Sequence, residues 1–97
     1  MRVEVDICAE VAACADAEMR LRFVLSRFAA SAVRAALRAV ACGPGRVRMH
    51  GEVHLVGGAK VSLAAEDEAS EAAVVYFIDR LGRAVARRQA GPGGRRA

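Results

Sequence analysis

The sequence lacks several residue types, and each absence narrows the possible functions. Its 97 residues include no Trp, no Asn and no Thr. A catalytic Thr nucleophile or a site built on an Asn amide is therefore excluded. Aromatic residues make up only 4% of the chain, and much of the 55% that is hydrophobic is alanine. A chain of this length can bury one modest core, which predicts a single domain.

Cysteine is scarce, and long apolar runs are missing. Cys8, Cys14 and Cys42 show no CxxC spacing, and an odd number in a short chain argues against a disulfide framework and for a reducing compartment. No segment approaches the roughly 20 uninterrupted apolar residues of a membrane span. Acidic residues also interrupt the N-terminal region where a signal peptide would need an apolar stretch. We therefore expect a cytoplasmic protein with no membrane partner.

Charge of both signs is present, but it is arranged in blocks. The 15 basic residues exceed the 11 acidic residues, for a formal net charge of +4. The net charge is −4 over residues 1–19, +7 over 20–60, −5 over 61–79 and +6 over 80–97. A folded domain can turn such blocks into charged faces. All the basic residues except Lys60 are arginines, whose planar guanidinium groups bind phosphate in a bidentate manner.

Alternation of apolar and polar residues predicts three strands. They span residues 2–8, 46–56 and 60–65. Gly43-Pro44-Gly45 breaks the chain before the second of these strands. The second and third strands form a hairpin whose apolar faces agree if residues 57–59 make the loop. That loop would place Val53 opposite Leu63.

Helical periodicity is present in two segments. From residue 17 to about 30, apolar residues recur at i, i+3, i+4 and i+7 after Asp16, a potential N-cap. A second stretch runs from about 68 to 88, with the acidic cluster 66–68 at its start and arginines at its end, as the helix dipole favours. Residues 31–41 are ambiguous: their alanines favour helix, which would give a helical bundle, whereas their alternation allows a strand.

Two histidines raise the question of a metal or acid–base site. His50 and His54 lie four residues, about 13 Å, apart on the polar side of a predicted strand. Together with Cys42 they match no standard ligand spacing, and the same distance argues against a pair of histidine acids that cleave RNA. No glycine-rich phosphate loop follows a strand and opens a helix. We therefore expect no enzyme, no metal, no cofactor and no small-molecule substrate.

Three segments of the chain resemble the short ribosome hibernation promoting factors and ribosome-associated inhibitors. They are RLRFVLSRFA (20–29), GEVHLVGGAKVSLAAED (51–67) and AAVVYFIDRLGRAVAR (72–87). The third segment is similar to the second helix of that family, whose pattern is a small pair, an aliphatic residue and then Ile/Ala-Asp-Lys/Arg-Leu-x-Arg. Residues from Ala72 to Arg83 meet this pattern. The likeness covers residues 1–88.

The resemblance implies an α+β fold of order β-α-β-β-β-α, with a four-stranded sheet and two helices packed on one face. The grouping of the predicted strands points to the same layered architecture. The resemblance also assigns residues 33–41 to the second strand, in which Val33 and Leu37 would share one face. It implies one ribosome-binding domain over residues 1–88, and the sequence QAGPGGRRA itself predicts a short disordered basic tail at 89–97.

In the resembled family, a basic groove on the helices lies on the small ribosomal subunit, in the channel used by mRNA and tRNA. Carried over by position, the nucleic-acid-binding residues are Arg20, Arg27, Arg80, Arg83, Arg87 and Arg88. The expected function is a hibernation factor that binds 16S rRNA and inhibits translation when growth stops, as part of a stress response. The alternative is a protein-interaction module on the same fold that has lost ribosome docking.

Overall fold

The computed structural model describes residues 1–7 and 16–89. Their helices and strands are β1 (Arg2–Ile7), α1 (Ala17–Leu25), β2 (Ala32–Gly43), β3 (Arg46–Leu55), β4 (Lys60–Glu68) and α2 (Glu71–Gln89). A short 3-10 helix, Ser26–Phe28, follows α1. The expected α+β fold, with its β-α-β-β-β-α order, is confirmed.

The four strands form one mixed sheet in the order β1-β2-β3-β4. β1 and β2 are parallel, whereas β2, β3 and β4 pair as antiparallel neighbours. Both helices pack on the same face of this sheet, and they run parallel to each other. Arg20 of α1 contacts Asp79 of α2, and Val24 lies beside Gly82. The contacts therefore advance toward the C-terminus in both helices. Both helices end at the end of the sheet where the β3–β4 turn lies, because Gln89 at the end of α2 and Val56 in that turn both hydrogen-bond to Ser31, which follows the 3-10 helix.

Residues 32–43 form a strand despite their helix-favouring alanines. Ala35 and Ala39 are buried beneath the helices, and β2 pairs with a strand on each side, so tertiary packing decides the conformation. The prediction that Val33 shares a face with Leu37 is wrong. An irregularity in the ladder between Ala32 and Arg34 leaves Val33 exposed, while Leu37 is buried.

The β3–β4 hairpin also differs from its prediction. Its turn has three residues, as expected, but they are residues 56–58, so that Val53 faces Val61 and not Leu63. Both glycines of the turn have a φ of +94°, a left-handed conformation that only glycine adopts readily, and this allows the chain to reverse earlier. The resulting shift of two residues keeps the apolar side chains on the same face.

The acidic cluster 66–68 lies in β4 and not at the start of the second helix, so that expectation is wrong. The basic residues of β3 explain the difference, since Glu66 lies opposite Arg48 and the two side chains form a salt bridge of 2.9 Å. α2 begins only after Ser70, whose hydroxyl oxygen accepts a hydrogen bond of 3.2 Å from the backbone N–H of Ala73. Ser70 is therefore the N-cap of this helix.

The core lies between the sheet and the two helices, and every buried side chain in the described part of the chain is apolar. The largest fully buried side chains include Leu21 and Leu25 of α1 and Phe77 and Leu81 of α2. Gly51 of β3 gives α2 room to approach, because a Cβ at this position would lie 2.8 Å from Cδ2 of Leu81.

The boundaries of the expected domain are only partly covered by the described residues. α2 ends at Gln89, whose amide nitrogen donates a hydrogen bond of 2.9 Å to the hydroxyl of Ser31. Gln89, the expected first residue of the tail, therefore belongs to the helix. Residues 90–97 lie outside the described part. Cys8, the predicted last residue of the first strand, lies outside it as well. Neither described helix has the length and hydrophobicity that crossing a membrane requires.

Candidate nucleic-acid interface

The outer surface of α2 carries a row of basic residues around one tyrosine. At about 100° per residue, Tyr76, Arg80, Arg83 and Arg87 fall within an arc of about 60°. This arc lies opposite the buried stripe of the helix. The guanidinium carbon of Arg80 lies 5.8 Å from the centre of the Tyr76 ring, within the range of a cation–π contact. The tyrosine is 55% exposed, so its ring is available to an external partner.

A groove of about 490 Å³ separates α1 and its 3-10 extension from α2. Its walls carry aromatic, aliphatic and charged side chains from both helices, namely Phe23, Val24, Ser26, Arg27, Phe28, Asp79, Gly82, Arg83 and Ala86. The helices approach closely at Gly82, because a Cβ there would collide with Cγ1 of Val24. The groove is therefore shallow at that point, with basic residues on both of its walls.

Three of the six predicted arginines form the central part of this surface. Arg27 and Arg83 line opposite walls of the groove, and Arg87 follows Arg83 by about one helical turn. All three are exposed, and among the described residues none of them forms a salt bridge. Their guanidinium groups can therefore bind an anion without first breaking an ion pair with the described part of the protein.

The other three predicted arginines have different surroundings. Arg20 forms a salt bridge of 3.6 Å with Asp79, which neutralises part of its charge. Arg80 is half-buried and contacts the tyrosine ring of its own helix. Arg88 is exposed, but it lies about 100° around the helix from Arg87, on the flank that faces away from α1. The prediction of one shared face therefore describes Arg27, Arg83 and Arg87 better than it describes the complete set.

Sequence reasoning missed Phe23, which is 74% exposed and lines the groove. The residue lies outside the i, i+3, i+4, i+7 series of apolar residues in α1, so its aromatic ring stands on the outer side of the helix, one turn after the exposed Met19. That departure from periodicity was the available signal. Phe23 and Tyr76 now provide two exposed aromatic rings next to the arginines, and such rings can stack on unpaired bases.

Charge is distributed unevenly along the helix layer. Asp16, Glu18 and Glu71 lie at the N-terminal ends of the two helices. Exposed arginines occupy the C-terminal ends, where the helix dipole favours positive charge. A basic row crosses the opposite face of the sheet at this same end, through the neighbouring positions Arg2, Arg34, His54 and Lys60. We call this end, which includes the 56–58 turn, the basic end of the protein.

The two histidines share one carboxylate on the open face of the sheet. Nε2 of His54 lies 3.2 Å from Oε1 of Glu52, and Nε2 of His50 lies 3.9 Å from Oε2 of the same residue. The hydrogen bond from His54 is the main cause of a lowered pKa at Glu52.

Within residues 1–7 and 16–89, no group of three or more His, Cys, Asp or Glu residues could hold a metal ion. Cys42 is exposed.

No protein-family model matches the chain, and no curated protein matches it.

Proposed function

We propose that this protein binds the RNA of the small ribosomal subunit through the outer surface of its two helices. By lying in the channel of mRNA and tRNA it would inhibit translation in the cytoplasm when growth stops. The observation that carries the proposal is the cluster of Arg27, Arg83 and Arg87, which has no acidic partner among the described residues and lies beside the exposed rings of Phe23 and Tyr76. The fold implied by the resemblance to hibernation factors supports it.

The chemistry of the cluster suits irregular or single-stranded RNA. Each guanidinium group can form two parallel hydrogen bonds with a phosphate. Each aromatic ring can stack on a base, which contributes about 1–3 kcal/mol per base. Because each phosphate contact on a single strand contributes about 0.7 to the slope of log affinity against log salt, the three central arginines predict a slope of about −2. The other three arginines of the set would make the slope steeper.

The proposed mechanism is occupancy, and it requires neither bond breaking nor a cofactor. A protein that covers the RNA surface where mRNA and tRNA bind prevents both from binding. Release requires the loss of phosphate contacts and of base stacking but breaks no covalent bond, so the inhibition is reversible.

Co-sedimentation with purified small ribosomal subunits through sucrose gradients tests the proposal. The wild-type protein is expected in the ribosomal fractions at low salt and at the top of the gradient at high salt. Arg83→Glu combined with Arg87→Glu should abolish the association at every salt concentration. The matched control is Arg34→Glu combined with Arg46→Glu, which changes the net charge equally at exposed positions of the opposite sheet face that form no salt bridge among the described residues, and it should retain most of the binding.

Two results would contradict the assigned surface. One is association of the Arg83→Glu, Arg87→Glu protein at the wild-type level, and the other is equal loss of binding in both double variants. If the wild-type protein failed to associate with ribosomal subunits even at low salt, the alternative function as a protein-interaction module would be favoured.

A further inference from the structure

The outer edge of β4 is a free sheet edge in the described part of the protein. β4 is the last strand in the order β1-β2-β3-β4, and its only described neighbour is β3. It spans nine residues, Lys60–Glu68, whereas strands average about five or six residues. A long edge strand presents a row of backbone N–H and C=O groups that can pair with another strand.

The hydrogen-bonding pattern identifies which backbone groups face outward. The N–H of Leu55 donates to the carbonyl of Ala59 over 2.8 Å, which makes this a hydrogen-bonded pair of the antiparallel ladder. Such pairs alternate with non-bonded pairs, so Val61 and the other odd-numbered residues of β4 bond to β3. The even-numbered residues, from Lys60 to Glu68, therefore direct their N–H and C=O groups toward the free edge.

We propose that β4 pairs in an antiparallel manner with β4 of a second copy of this protein, about a two-fold axis at Ala64. Ala64 then faces Ala64 of the second copy, Ser62 faces its Glu66, and Lys60 faces its Glu68. This register pairs all nine residues of β4. The hydrogen bonds between the two copies would be formed by the even-numbered residues, whose backbone groups face the free edge. Any other two-fold register shortens the ladder, and one centred on Glu66 would place two carboxylates against each other.

The charges of β4 are complementary in this register. Lys60 and Glu68 are exposed, and among the described residues neither forms a salt bridge. Pairing about the axis creates two Lys60–Glu68 contacts between the copies. It also places the basic end of one copy beside the opposite, acidic end of the other, which carries Glu66, Glu68 and Glu71, whereas parallel pairing would bring the basic ends together. The side chains at and beside the axis, Ala64 and Ser62, are small enough to permit close approach.

The centre of the helix-facing side of the seam is apolar, whereas at its two ends Val61 of one copy faces the half-buried Asp67 of the other. Leu63 and Ala65 are half-buried residues of β4 that pack against the core, and in this register Leu63 of one copy faces Ala65 of the other. Pairing would therefore cover apolar surface that is partly exposed in the single copy, which is favourable. The resulting assembly is one continuous eight-stranded sheet with all four helices on one side.

Sedimentation equilibrium over protein concentrations from micromolar to near-millimolar, at low salt, tests the proposal. The wild-type protein should show a reversible monomer–dimer equilibrium. Lys60→Glu replaces two attractive contacts with two repulsive ones, which should raise the dissociation constant about tenfold or more. Adding Glu68→Lys to that variant restores both pairs and should restore dimerisation. The control Arg34→Glu makes the same charge change on the central strand β2 and should leave the equilibrium unchanged.

Cysteine cross-linking tests the register itself, in a background where the three native cysteines are replaced by serine. Residues of a bonded antiparallel pair lie about 5.5 Å apart between Cα atoms, which is within disulfide range. Ala64→Cys should therefore form a disulfide-linked dimer on mild oxidation. Ser62→Cys, exposed on the same strand, should not, because the two copies of this residue would lie about 13 Å apart.

Three results would overturn the proposal. They are a wild-type protein that is monomeric at every concentration, a Lys60→Glu protein that dimerises as the wild type does, and cross-linking of Ser62→Cys at least as fast as of Ala64→Cys. The outer helix surface remains uncovered in the dimer, so the outcome for ribosome binding is independent of these measurements.

Discussion

Phe23 is an exposed ring that we expect to contribute to binding and not to folding. Its side chain is 74% exposed, so its removal exposes almost no core. We predict that Phe23→Ala weakens binding to small ribosomal subunits by about 1–3 kcal/mol through lost base stacking. The free energy of unfolding should change by less than about 0.5 kcal/mol. Co-sedimentation and urea denaturation measure the two effects.

Met19→Ala provides the control for this prediction. Met19 lies on the same helix and is 70% exposed, but it has no aromatic ring and does not line the groove. The Met19→Ala substitution should leave ribosome binding and the free energy of unfolding near their wild-type values. Equal weakening of binding by both substitutions would show that general loss of apolar surface, and not stacking, is responsible.

Glu52 allows a second prediction at the scale of single residues. The pKa of its carboxyl group is lowered from the ordinary 4.5, chiefly by the hydrogen bond from His54. His54→Ala should therefore raise the pKa of Glu52 toward its ordinary value, as measured by carbon-detected NMR titration. His50→Ala should raise it less, because Nε2 of His50 lies farther from the carboxylate, at 3.9 Å. An unchanged pKa in the His54→Ala protein would contradict this account.

The same interaction has a consequence for stability. A carboxyl group whose pKa is lower in the folded state than in the unfolded state stabilises the fold most above the unfolded value. The contribution of Glu52 should therefore be complete at pH above about 5 and should be lost as the pH falls below 4.5 through the folded value. Urea denaturation of the wild type and of Glu52→Gln should accordingly give converging free energies of unfolding as the pH decreases through this window.

At the scale of helices and strands, the contact between α1 and α2 depends on Gly82. A side chain at this position would collide with Val24, a β-branched residue with little rotational freedom in a helix. We predict that Gly82→Leu lowers the free energy of unfolding by about 1–2 kcal/mol, since the overpacking cost exceeds the gain in helix propensity. Ala72→Leu, at an exposed position of α2, should change it by less than about 0.5 kcal/mol. Urea denaturation measures both.

The helices and strands also show what could be predicted from the sequence. The alternating segments and the periodic apolar residues of α1 and α2 identified those elements, because each pattern reflects burial on one face. The acidic cluster 66–68 was misplaced because its charges suit either a helix N-terminus or a strand opposite arginines. Only the neighbouring strand β3, which carries Arg48, shows that the cluster belongs to a strand and not to a helix N-terminus. Residues 32–43 required the family resemblance, because their conformation depends on tertiary packing.

The candidate site was less predictable than the fold. Helical rotation predicts which arginines of α2 lie on one side of the helix, but it gives no information about neighbours on another element. The salt bridge between Arg20 and Asp79 and the groove shared by Arg27 and Arg83 both arise from the contact between helices. Phe23 could have been recognised by its position outside the buried stripe. Contacts between elements therefore decide which of the predicted residues can act together.

At the scale of the whole molecule, the charge polarity predicts where RNA binds. The basic end carries the C-terminal parts of both helices and the 56–58 turn, whereas the turn at Gly43–Gly45 lies at the opposite end of the sheet. Titration with single-stranded RNA, followed by NMR, should shift backbone amide signals at the ends of α1 and α2. The signals of the Gly43–Gly45 turn should stay unchanged. Shifts centred on that turn would contradict the assigned orientation.

The separation of acidic and basic ends has a further consequence for the rate of association. A protein with opposite charge at its two ends experiences a torque in the field of a polyanion, so it rotates before the surfaces touch. A larger fraction of collisions then begins with the arginine-bearing end in front, which increases the association rate constant beyond what net charge alone would provide. Added salt shortens the distance over which this rotation operates, so the protein would find its target more slowly as well as hold it more weakly.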